Sequence, residues 1–283
     1  MRMGVTMNII EIFKAILFGI VEGITEWLPI SSTGHMILLD EFVHLDMTEQ
    51  FIEMFLVVIQ LGAILAVVLL FWKKIWPFGY DQKVVVKKDI FNMWFKIIVA
   101  SIPAAIIGIP FSDKFDALFY NYVSVAIALF VFGVLFIVIE NREKGKRAKV
   151  TSLADITYSM ALIIGIWQLI AAVFPGTSRS GATIVGALLL GLSRTVAAEF
   201  TFFLAIPAMM GASLLKILKF GFAFSGTELA VLLTGTIVSF LVSVFVIRFL
   251  MGYIKKHDFK VFGWYRIALS IVVLGYFVAT TLL

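Results

Sequence analysis

Apolar stretches of about twenty residues recur along the whole chain, and no other feature constrains its fold as strongly. Six are long and apolar enough to cross a bilayer, at residues 51–72, 90–110, 118–139, 196–218, 228–254 and 264–283. Of 283 residues 61% are hydrophobic and 14% charged, and the mean hydropathy is +1.06, which leaves no room for a separate soluble domain. An all-α polytopic protein with one membrane domain over residues 1–283 is expected.

Two further regions, 9–39 and 153–192, are apolar but broken by Pro29-Ile-Ser-Ser-Thr-Gly34 and Pro175-Gly-Thr-Ser-Arg-Ser-Gly181. Each reads as two half-helices and a polar turn. Set against each other at an offset of 146, the regions match Gly19 with Gly165, Pro29 with Pro175 and Ser32 with Ser178. Glu53 falls on Glu199 at the same spacing, so the match outlasts the motif and the chain looks duplicated, with copies at 1–140 and 151–283.

Charge gives each copy a direction. Basic residues cluster at Lys73, Lys74, Lys83, Lys87 and Lys88, at Arg142, Lys144, Lys146, Arg147 and Lys149, and at Lys255, Lys256 and Lys260. The positive-inside rule puts all three clusters in the cytoplasm and the acidic or balanced connections 40–50 and 111–116 outside. The copies then run in opposite senses, an inverted-topology repeat of six full transmembrane helices and two broken regions. Two complete crossings would separate the polar turns by roughly 30 Å. Two re-entrant hairpins would bring both to the bilayer centre, where inverted-repeat proteins build their sites.

Without cysteine, thiolate nucleophiles, disulfides and Cys-ligated zinc are excluded. The net charge of +5 lies in short clusters between spans, which reads as topology signal and anionic-lipid contact, not as a nucleic-acid surface. Arg2 and the apolar run after it lack a small-residue cleavage site, so the segment is read as mature structure.

Glu22 and Glu26 are four apart and share a helix face. In apolar surroundings each costs about 2.5–3.5 kcal/mol, so a partner or a function must offset them. A structural ion pair is the plain reading. The chemical readings are a site for Mg²⁺ or Ca²⁺, or a general base tuned by burial and its like-charged neighbour. Ser31, Ser32 and Thr33 stand where the next half-helix begins, so hydroxyls and free N–H groups converge on an anion site, with His35 as proton carrier. Taken singly they would be an ordinary helix cap and a core histidine. In the second turn Thr177, Ser178 and Ser180 surround Arg179, whose fork matches phosphate bidentately; the alternative is a counter-charge for Glu22 or Glu26. Glu53 and Glu199 read as helix-start charges, and Gln60 and Gln168 as inter-helix hydrogen bonders. The 28 phenylalanines define no lipid groove.

Across nearly all its length, and through Glu22-Gly-Ile-Thr-Glu26-Trp-Leu-Pro-Ile-Ser-Ser-Thr-Gly-His35 and Pro175-Gly-Thr-Ser-Arg-Ser-Gly181, the chain resembles the undecaprenyl-diphosphatase family, the bacitracin-resistance type of membrane phosphatase. The resemblance implies hydrolysis of undecaprenyl diphosphate to undecaprenyl phosphate and inorganic phosphate, in a bacterial plasma membrane, with the site open to the outer side. It implies a divalent cation, Mg²⁺ or Ca²⁺, and carries the acidic motif onto Glu22 and Glu26, the serine and histidine onto Ser32 and His35, and the arginine motif onto Ser178 and Arg179. Expected partners are the polyprenyl diphosphate and membrane lipids, no nucleic acid, and a second copy of the chain in a homodimer compatible with the sequence. Ser32 as nucleophile, activated by His35 or a carboxylate, competes with a water activated at Glu22 and Glu26. The rival classes are a transporter or flippase of a phosphorylated polyprenyl lipid, which inverted repeats with broken helices equally suit, and a non-catalytic lipid-binding membrane protein.

Overall fold

The structure, a computed structural model, describes residues 9–81 and 83–282; Arg2 lies outside them. Twelve helices follow one another among the described residues: α1 (Ile9–Thr25), α2 (Ser32–Phe42), α3 (Glu49–Leu70), α4 (Trp72–Ile75), α5 (Lys88–Pro103), α6 (Ser112–Phe119), α7 (Tyr122–Glu143), α8 (Tyr158–Val173), α9 (Arg179–Leu189), α10 (Arg194–Phe220), α11 (Gly226–Tyr253) and α12 (Lys260–Leu282). Six of these segments are long and apolar enough to cross a membrane, α5 together with the π-helical stretch Ala104–Gly108 that continues it. The π stretch directly follows Pro103, whose missing N–H breaks the α ladder.

Each expected span is found, shifted by a few residues at its ends. Leu118 belongs to α6, and the span begins at Tyr122, where Asn121 caps α7 by accepting from Ser124 N–H. The connection after α3 is not a plain loop: β1 (Phe78–Asp81) and β2 (Lys83–Val86) form an antiparallel hairpin in which Phe78 faces Val86. The run Val84-Val85-Val86 is a strong strand former in an otherwise helical chain.

The outer faces of the long helices are apolar and exposed. Leu69 is 58% exposed, Phe245 70% and Ile271 65%, values that suit lipid contact and not water. Inside, Trp27 and Phe202 meet edge to face at 5.1 Å within the largest buried cluster, which draws on α3, α5 and α7 to α11. A second cluster packs Phe18 of α1 and Phe55 of α3 at 5.9 Å, together with Val231 and Leu232 of α11. α7 and α12 approach until their backbones touch: a Cβ on Gly133 would lie 2.8 Å from Gly263 O, and one on Gly263 would lie 2.7 Å from Gly133 O.

Glu53 and Glu199 sit in the second turns of α3 and α10, not in the first. Each is matched by a lysine, Glu53 by Lys216 of α10 at 2.9 Å and Glu199 by Lys74 of α4, the short helix after α3, at 2.6 Å, so ion pairing more than the helix dipole accounts for them. Gln168 is buried, but its Oε1 finds no hydrogen-bond partner among the described residues, and the expected inter-helix bond from that atom is not made. Arg194 grips Glu140 through Nε and Nη2 while Phe259 N–H donates to the same carboxylate, which ties α7, α10 and the start of α12 together.

Candidate active site

Both polar turns are built on a serine forced into left-handed backbone. Ser31, at φ 74°, caps α2 by accepting from Gly34 N–H, and Ser178, at φ 66°, caps α9 by accepting from Gly181 N–H. They are the non-glycine residues with positive φ among the described residues. Strain of this kind costs on the order of 1–3 kcal/mol and persists where the surroundings demand it. The two caps are 147 residues apart, one more than the sequence offset, so the local counterpart of Ser178 is Ser31 and not Ser32. Gly176 precedes the second cap at φ +91°, pressed so close to α7 that a Cβ would lie 2.6 Å from Val125 O. Only glycine satisfies both conditions.

The turns meet at Glu26. α1 ends at Thr25, yet Glu26 N–H still donates to Glu22 O at 3.0 Å, so the two carboxylates keep the shared face. Glu26 Oε1 accepts from Arg179 Nη2 at 3.0 Å, and Glu26 Oε2 accepts from Ser32 Oγ at 3.0 Å. The backbone carbonyl of Glu26 accepts from Ser180 Oγ at 3.1 Å, and Ser180 Oγ lies 3.1 Å from Ser178 Oγ. Arg179 Nη1 donates to Thr201 O in α10 at 3.1 Å. Trp27, the next residue of the first turn, is fully buried against Phe202 of α10.

Glu22 is buried, acts electrostatically on Glu26 and Arg179, and has an Oε1 without a hydrogen-bond partner among the described residues. Thr177 Oγ1 and Arg179 Nε are likewise buried and unpartnered among them. Ser32, Thr33, Ser178 and Arg179 are partly exposed, so this polar centre reaches a surface.

His35 is directed elsewhere. Its Nδ1 lies 2.7 Å from the Ser31 carbonyl, which can only accept, so the neutral ring carries its proton on Nδ1. Nε2 then accepts from the Tyr265 hydroxyl at 2.7 Å, and the two rings stack with centroids 5.6 Å apart. Ser32 is therefore served by Glu26, whereas His35 is served by Tyr265. Tyr265 and its neighbour Arg266 escaped the sequence reading. Arg266 donates to Pro29 O, Gly176 O and Thr177 O, touching both turns from behind. The available signal was an arginine inside an apolar span.

A hard cation of the Mg²⁺ type takes one or two carboxylates and completes its shell with water and substrate phosphate. Glu22 and Glu26 with an unpartnered Oε1 fit that demand. No group of three or more His, Asp or Glu side chains among the described residues forms an all-protein cage.

Residues 15–272 match the family of bacitracin resistance protein BacA. The chain belongs to that family. It is 69% identical over 277 residues to the undecaprenyl-diphosphatase of Desulfitobacterium hafniense, covering 98% of this chain and 100% of the relative. Identity to undecaprenyl-diphosphatase 1 of Clostridium acetobutylicum is 65%, over 96% of this chain and 99% of that one. With an undecaprenyl-diphosphatase of Enterococcus faecalis it is 62%, over 95% and 98%. As a BacA family member with six apolar helices, the chain is a multi-pass membrane protein.

Proposed function

We propose that this chain is an undecaprenyl-diphosphatase, hydrolysing undecaprenyl diphosphate to undecaprenyl phosphate and inorganic phosphate, recycling the lipid carrier of peptidoglycan synthesis and conferring bacitracin resistance. The observation that carries the reading is the Glu26 carboxylate, which holds a hydroxyl on one oxygen and a guanidinium on the other. Phosphoryl transfer needs a nucleophile, a base and charge neutralisation, and these three groups supply them in one cluster. Relatives named undecaprenyl-diphosphatase over their full length add to it.

In the first step Ser32 Oγ attacks the terminal phosphorus, its proton passes to Glu26 Oε2, and the bridging P–O bond breaks to release undecaprenyl phosphate. Arg179 draws the phosphoryl oxygens while the N-termini of α2 and α9 face the same charge. In the second step water attacks the phospho-serine, Glu26 Oε2 returns its proton to the leaving Ser32 oxygen, and the proton lost by the water passes to solvent. A divalent cation held by Glu22 and Glu26 would neutralise phosphate charge.

The site would lie at the bilayer centre between two re-entrant hairpins of an inverted repeat. α2 and α9 have 11 residues each, about 16 Å of helix, against a hydrocarbon core of roughly 30 Å. Contacts between the copies are reciprocal, as a two-fold relation demands. Gly19 packs on the α11 backbone and Gly165 on that of α5, the Glu53–Lys216 and Glu199–Lys74 pairs mirror each other, and Gly133 and Gly263 exchange places. The basic clusters support Lys149 lying in the cytoplasm of a bacterial inner-membrane protein, and the family resemblance supports a site open to the outer side.

Purified protein in detergent, given undecaprenyl diphosphate, tests the activity by release of inorganic phosphate. Movement of that lipid between vesicle leaflets without phosphate release would instead establish the transporter reading.

A further inference from the structure

We propose that Arg266 is a positioning residue of this site, a buried cation that clamps the two turns and sets the charge against which the substrate's phosphates bind. The inference rests on the diphosphatase reading. Arg266 is fully buried in α12. Its Nη1 donates to Pro29 O at 3.3 Å, and its Nη2 donates to Gly176 O at 3.0 Å and Thr177 O at 2.7 Å, so one planar fork spans both turns. The Phe132 ring of α7 lies 5.7 Å from its Cζ, and a Cβ on Gly181 would lie 2.9 Å from Nη1. Protein packs tightly around the guanidinium on the sides of α7 and α9.

No carboxylate among the described residues pairs with it; its hydrogen-bond acceptors are the three carbonyls. A buried guanidinium without a counter-ion is costly, and fastening two loops could be left to a neutral donor. The charge has a use at the site. Arg179 is already paired with Glu26, so its charge is engaged before any substrate arrives. Arg266 adds a second guanidinium behind both turns, held by carbonyls and paired with no carboxylate among the described residues, so an incoming diphosphate meets a positive charge that no carboxylate has already neutralised. Its hold on the Thr177 carbonyl also orients a donor. In a planar trans peptide the carbonyl and the following N–H point in opposite directions, so Ser178 N–H is turned away from Arg266 at the start of α9.

Two variants separate the charge from the fork, Arg266→Gln keeping a donor without charge and Arg266→Lys keeping charge without the fork. Inorganic pyrophosphate as a competitive inhibitor reads the charge, and kcat reads the alignment. The expected result is that Arg266→Gln raises both the pyrophosphate inhibition constant and KM by about tenfold or more. Arg266→Lys should leave that constant within about threefold of wild type while lowering kcat about tenfold. An unchanged inhibition constant in Arg266→Gln, or an unchanged kcat in Arg266→Lys, overturns the corresponding half of the proposal. If Arg266→Gln does not elute as folded protein, Arg266→Lys decides alone, since a parallel tenfold loss of pyrophosphate affinity would refute the charge role. Wild-type protein that releases no phosphate counts against the proposed activity instead, and pyrophosphate-dependent thermal stabilisation of the same variants still reads the charge.

Discussion

Glu26 and Arg179 are 153 residues apart in the chain and 3.0 Å apart in space, and their ion pair joins the two polar turns. Arg179 is 15% exposed and spends its second amino group on the Thr201 carbonyl, so its fork is fixed in plane before any phosphate arrives.

That planarity makes Arg179→Lys a test of shape at constant charge. A lysine ammonium reaches Glu26 or Thr201 O but cannot present two parallel donors to a phosphate. Turnover is expected to fall by about tenfold or more, matching the 1.5–3 kcal/mol of a lost charge-assisted contact. Near-normal kinetics would reduce Arg179 to a counter-charge for Glu26.

The carboxylates separate by their partners. Glu26 is engaged on both oxygens, whereas Glu22 keeps Oε1 without a hydrogen bond among the described residues. Glu22→Gln should therefore weaken the dependence on Mg²⁺ or Ca²⁺, moving the activation midpoint to about tenfold higher metal. Glu26→Gln should depress turnover at every metal concentration. Titration curves in Glu22→Gln that overlay those of wild type would leave Glu22 as a structural acid.

Topology can be read in a chain that has no cysteine of its own. A single cysteine at Lys149 should react only from the cytoplasmic side and one at Glu49 only from outside. Cysteines introduced together at Ser32 and Ser178 should crosslink. Labelling of the two turns from opposite faces, with no crosslink, would sink the re-entrant arrangement.

What the sequence made legible follows from what membranes forbid. Apolar runs located the spans because a bilayer penalises anything else, and Glu26 and Arg179 stood out because charge in such a run requires a reason. The register between the turns was misjudged by one residue because the prolines align at 146, while the caps depend on which serine takes positive φ, a backbone choice without a composition signal. The hairpin at Phe78–Val86 is obscured by Lys83 and the flanking Lys73, Lys74, Lys87 and Lys88, which read as a basic connection. Arg266 was lost for a related reason. Six residues after Lys260 it resembles an interfacial charge, and its contacts with Pro29 and Gly176 span 237 and 90 residues of chain.

The nucleophile is the remaining choice, and the geometry favours Ser32. Its Oγ donates to Glu26 Oε2 at 3.0 Å, so a base is already in place, and Arg179 on the other oxygen of the same carboxylate would hold a phosphoryl group beside it. His35 contributes no contact to Ser32, which removes one of the two activating partners the sequence allowed. A water attacking directly is the competitor, and both routes place one water oxygen in the released phosphate, so isotope incorporation is silent. Stereochemistry discriminates. Two in-line displacements through a phospho-serine retain configuration at a chiral thiophosphate, and one displacement by water inverts it. Retention is expected, together with loss of about a hundredfold or more of turnover in Ser32→Ala. Inversion, or substantial turnover in that variant, would leave the Ser32 hydroxyl as a phosphate ligand and make Glu26 the base for water.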